Sequence, residues 1–207
     1  GKPYNTNARL ERRLDYCHSL LLQGRHDRAA AMLEEAWQEW EAAAQTTEEA
    51  RATDSEAEAE RLDLLGTFYS MSGLAAKGRG LIKQAEEQFR LALELDESNE
   101  NLVNVADVLL RQKRYFEAEE LYTKALGKTE TEKSPDHPDT GMALNNLALV
   151  YELEGNVEEA EASTRRALEI WERSLGPDHP DTATALENLS SLLYLAGKYD
   201  DAEPLIR

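Results

Sequence analysis

The chain has 207 residues, 41 acidic against 23 basic, and a net charge of −18. That sign opposes attraction to nucleic acid or to an anionic membrane surface, and no run of about 18 apolar residues is present to span a bilayer. One cysteine, Cys17, excludes an internal disulfide framework and a cysteine metal cluster. It fits a reducing, cytoplasmic setting, as does the lack of a charged-then-apolar leader pattern. Gly1 stands where an initiator Met would be, which points to a processed or excised chain.

Residues 1–8 are polar and are expected to be loose. A first helix is predicted from about Arg9 to Leu22, with Leu10, Leu14, Cys17 and Leu21 on one face at helical spacing. Gln23-Gly24-Arg25 stops it. A second helix, Arg28 to about Ala44, turns Ala29, Met32, Leu33, Ala36, Trp37 and Trp40 inward, with Trp37 partly exposed. Residues 9–44 thus read as one helix pair. Residues 45–57 read as an acidic connector, partly helical, with Ser55-x-x-Glu58 as a candidate capping box. The surrounding stretch 34–60 holds ten acids and one base, Arg51. It reads as a solvated helix face plus connector, or as a lure for a basic partner.

The next pair covers 58–97. Its first helix turns Leu62, Leu65, Gly66, Phe68 and Tyr69 inward. Its second, Ala85-x-x-x-Phe89-x-x-Ala92, starts seven residues late because GLAAKGR (73–79) is inserted. Seven residues are nearly two helical turns, so the insert either lengthens the helix or bulges from the corner. Its glycines favour the bulge. Residues 98–134 form a third pair, with Val105, Ala106 and Leu109 facing Ala118, Leu121, Tyr122 and Ala125.

Two units then repeat at an offset of 42 residues, 135–176 and 177–207: Pro135 matches Pro177, His137 His179, Asn146 Asn188, Gly155 Gly197 and Ala160 Ala202. Self-similarity at such a period marks a stacked repeat array. Ala29, Ala85, Ala118, Ala160 and Ala202 share one small position early in each second helix, where close helix approach needs it. The fifth unit stops inside its second helix. Leu189, Leu192 and Leu193 are therefore expected to lack part of their cover, and the natural protein to continue, or this open end to self-associate.

From residue 9 onward the chain resembles the tetratricopeptide repeat family, on Leu65-Gly66-x-x-Tyr69 and on the recurrent alanines. The 42-residue units are similar to its kinesin-light-chain subtype, on LGPDHPDTATALENL and ALNNLALVYELEGNVEEAE. The resemblance implies an all-α, right-handed α-solenoid of about five units. It implies a non-catalytic scaffold or adaptor whose first helices line a concave groove for a peptide or protein segment. The competing class is a regulatory or sensory segment of a larger enzyme or transcription regulator, and a third is a self-assembling structural module.

Placed on that groove, the chain offers Glu60, Asp63, Glu100, Asp107, Glu152 and Glu187 against Arg111, with Asn145 beside them. Kinesin light chains carry basic grooves for acidic, tryptophan-bearing peptides, and chaperone cofactors use a two-carboxylate clamp whose bases are missing here. A basic partner is therefore expected over an acidic one. Asn104, Asn146 and Asn188 recur at one position of three first helices. Asn is a mediocre helix former, so this ladder is expected either to hydrogen-bond the backbone of an extended peptide or to fix repeat register. The resemblance favours the groove. Tyr194 is a candidate aromatic contact.

No chemistry is implied elsewhere. His137 and His179 belong to different units and are expected to be structural corner residues, with Asp or Thr capping the helix. Trp40 and Trp171 share a late second-helix position and are expected in the core. No phosphate loop, Ser/His/Asp set or metal spacing appears, and no cofactor is implied.

Overall fold

The computed structural model describes residues 6–46 and 55–206 of the backbone. Among the described residues all regular structure is helical. The elements are α1 (Thr6–Leu22), α2 (His26–Thr46), α3 (Ser55–Gly78), α4 (Ile82–Leu95), α5 (Asn99–Arg111), α6 (Tyr115–Glu132), α7 (Pro138–Glu154), α8 (Val157–Ser174), α9 (Pro180–Leu195) and α10 (Tyr199–Ala202), then a 3-10 turn, Glu203–Ile206. The acidic connector, apart from its helical ends, and the side chains of Ser55 and Glu58 lie outside the described residues. The chain divides into two compact units, Gly1–Val108 and Leu109–Arg207.

In the first unit the core gathers Leu10, Leu14 and Cys17 of α1, Leu33, Ala36 and Trp40 of α2, and Leu64, Phe68 and Ala75 of α3. Trp37 stacks on Phe68 with ring centroids 4.6 Å apart and stays half-buried. The start of the chain is less loose than expected, since α1 takes in residues 6–8. Asn7 is held there, its Oδ1 accepting from Trp40 Nε1 at 3.2 Å.

Two other expectations fail in α3. The insert does not bulge. It continues the helix, which keeps phase because seven residues complete almost two turns. Gly73 serves close packing instead, since a Cβ there would meet the Phe89 ring at 2.5 Å. Only Gly80, past the helix end, takes a left-handed φ of 76°. The buried face is also shifted: Leu62 is 42% exposed while Leu64 is 6% exposed. α3 packs against α1, α2 and α4, and Leu62 lines a cleft open to solvent.

The second unit centres on Leu144, Ala167, Ile170, Trp171, Ala185, Leu189, Leu193 and Ala202. Leu189, Leu192 and Leu193 are each 1% exposed, contrary to the expectation of missing cover. The short α10 and the 3-10 turn supply that cover, with Ala202 and Leu205 packed into the cluster.

The DHPDT corners are built alike. His137 and His179 are the N-caps, not Asp or Thr: each ring Nδ1 accepts from the amide two residues on, Asp139 or Asp181, at 3.2 Å. Proline follows at the first helical position, where a missing N–H costs nothing. Thr140 and Thr182 are fully buried and donate back to the carbonyls of Ser134 and Gly176 at 2.7 and 2.8 Å. Trp171 then repeats the role of Trp40, donating Nε1 to Pro138 O at 2.9 Å. Both tryptophans tie the end of a second helix to the start of its own first helix.

Candidate peptide-binding face

α7 shows most clearly what a first helix presents. Leu144, Leu147, Ala148 and Val150 are buried in the unit. Met142, Leu149 and Leu153, spaced seven and four apart, are 52%, 46% and 47% exposed on another face. Asn145 and Asn146 share that face and are half-buried, and Glu152 is exposed beside them. The three apolar residues were missed in the sequence reading. The signal was there: α7 is apolar around more of its circumference than one core stripe requires.

The asparagine ladder is not uniform. Asn188 Nδ2 donates to Asn145 Oδ1 at 2.9 Å, joining α9 to α7. Asn146 is half-buried and its amide has no hydrogen-bond partner among the described residues. Asn104 is 8% exposed, and its buried Nδ2 has no acceptor among the described residues. In α3 the equivalent position, found by matching Leu65-Gly66-x-x-Tyr69 to Leu147-Ala148-x-x-Tyr151, is Leu64, a core residue. On α9, Glu187 and Tyr194 are exposed, and Tyr194 meets Tyr199 edge-on with centroids 4.9 Å apart.

In the first unit Asp63 and Glu100 are brought to one cleft of about 580 Å³, bounded by α1, α3, the α4–α5 corner and α5. The volume falls in the range of roughly 300–1,000 Å³ usual for binding clefts. Its α5 wall is fixed by Asn101, which sequence reading passed over. Asn101 is 5% exposed. Its Nδ2 donates to Asp96 O at 2.9 Å, and Ser70 Oγ donates to its Oδ1 at 2.7 Å. Asp107 is half-buried and ion-paired with Lys77 at 2.5 Å, so its charge is answered within the unit. Glu60 and Arg111 are exposed.

Burial pushes the Cys17 thiol up to about 11, where it stays protonated and inert at neutral pH. No cluster of three or more metal-ligating side chains occurs among the described residues, and no described helix is long and apolar enough to cross a membrane.

In fold the chain is similar to BtubC (BKLC) from P. vanneervenii, with a TM-score of 0.79 and 23% identity over 99% of this chain and 80% of that one. It is similar to a putative kinesin light chain of Podosopora anserina with nearly identical TPR-like repeats, at a TM-score of 0.74 and 17% identity over 98% and 94% of the two chains. MamA from Desulfovibrio magneticus RS-1 gives 0.65 and 16% over 98% and 92%. No curated protein matches the chain. The sequence pattern of the tetratricopeptide repeat matches residues 97–169 and 140–207, more than half of the chain. Arrays of this repeat are, in general, protein-interaction scaffolds. On that match and that fold, the chain belongs to the tetratricopeptide repeat family.

Proposed function

We propose that the chain is a non-catalytic scaffold that holds an extended segment of a partner protein against its first helices. One observation carries this reading: on α7, Met142, Leu149 and Leu153 are about half exposed on the face that also carries the Asn146 amide, unpartnered among the described residues. Apolar contact supplies affinity there, and an amide with free donor and acceptor groups suits a peptide backbone of any sequence. Peptides selected from a displayed random library on the whole chain test the reading. Leu149→Glu should abolish most of their binding while the melting temperature holds. Undiminished binding by the folded variant would place the interaction elsewhere.

A further inference from the structure

The first-unit cleft has a charge pattern that general peptide binding does not explain. Leu62, Met71, Leu74 and Leu95 give it an apolar lining, and Asp63, Asp96 and Glu100 stand among them. All three carboxylates are exposed, and among the described residues none has an ion-pair partner. Asp107, on the same helix as Glu100, is by contrast paired with Lys77. Among the described residues the lining holds no lysine or arginine, and His18 is its single basic side chain, so an occupant that answers all three carboxylates brings its own cation. The chain's own stretch 34–60, with ten acids and one base, has the wrong sign to fill it.

We infer that this cleft takes a cationic and apolar segment of a partner protein, an arginine or lysine next to a leucine-sized residue. The apolar side chain packs on Leu62, Leu74 and Leu95. The stem of the cation continues along that lining, and its head reaches the carboxylates of Asp63, Asp96 and Glu100, as long basic side chains do on apolar surfaces. The inference rests on the first-helix face being a peptide site, and it adds the ligand's chemistry.

The test titrates the isotope-labelled whole chain with three capped alanine-based heptapeptides, centred on Leu-Arg, Leu-Glu or Ala-Arg, and follows amide NMR shifts. Leu-Arg should bind several-fold more tightly than either control and shift Gly66, Ser70 and Asn101. Asp63→Asn with Glu100→Gln should weaken it about two- to five-fold per carboxylate, the range for exposed ion pairs, with an unchanged melting temperature. Equal binding of Leu-Glu, or full affinity in the double variant, overturns the cleft assignment. Shifts confined to α7 overturn it too while leaving the general reading intact. If none of the three peptides perturbs any first helix, both fall.

Discussion

Gly66 and Gly141 both lie in first helices, yet they should answer substitution in opposite ways. A Cβ at Gly66 would meet nothing closer than Leu95 Cβ at 3.8 Å, whereas one at Gly141 would meet Trp171 Nε1 at 2.6 Å. The equivalents of Gly66 in α5 and α7 are Ala106 and Ala148, both buried. Gly66→Ala should therefore stabilise the chain by about 1 kcal/mol from helix propensity. Gly141→Ala should cost roughly 1–3 kcal/mol by overpacking. Thermal denaturation of both variants checks the pair. Cys17 supplies a second residue-scale prediction. Its folded pKa lies above its ordinary 9.0, so the folded chain holds its proton longer than the unfolded one. Stability should fall as pH rises from about 9 toward 11. At neutral pH a thiol reagent should label it only on unfolding.

Between elements, unit two is braced by ion pairs that cross from one repeat to the next. Arg166 of α8 reaches Glu130 of α6 at 2.5 Å, and Lys198, before α10, reaches Glu161 of α8 at 2.8 Å. The Lys198 hydrogen bond, with Arg165 assisting, holds Glu161 below its ordinary 4.5 against the opposing effect of burial. A depressed carboxylate contributes stability above 4.5 that is lost as pH falls through its folded value. Lys198→Met should lower the melting temperature by a degree or two at pH 7, on the order of 1 kcal/mol or less. The effect should fade as the pH falls far enough below 4.5 to protonate Glu161 in the folded chain.

Helix existence and the alanine positions were legible because each unit repeats the same apolar period, and those alanines are buried from Ala29 to Ala202. The fate of the insert was not legible. Its glycines signal a turn locally, while Phe89 and His26, which pack onto Gly73 and Gly78, are distant in sequence. The site was legible in part. Its acids could be placed on first helices, but the pairing of Asp107 with Lys77 depends on the lengthened α3 that brings Lys77 there. The bond from Asn188 to Asn145 links adjacent units, so no single helix pattern contains it.

Over the whole molecule, the net charge of −18 sets the response to salt. Self-repulsion of that size destabilises a compact chain, while exposed ion pairs contribute about 0–1 kcal/mol each. Raising salt from about 50 to 300 mM shortens screening to below about 10 Å. The melting temperature should therefore rise, even as binding of a basic peptide weakens. A falling melting temperature would mean that the braces outweigh the repulsion. The scaffold reading itself is tested most directly at Asn146, whose amide has no partner among the described residues. Affinity for a library-selected peptide and melting temperature should both be measured on Asn146→Ala, with Asn188→Ala beside it. A single hydrogen bond is worth about 0.5–1.5 kcal/mol, so Asn146→Ala should bind several-fold more weakly at an unchanged or slightly higher melting temperature. Asn188→Ala, which breaks the bond to Asn145, should melt lower. If Asn146→Ala instead melts several degrees lower and its folded form binds as before, that asparagine fixes repeat register, and the account of the site is contradicted.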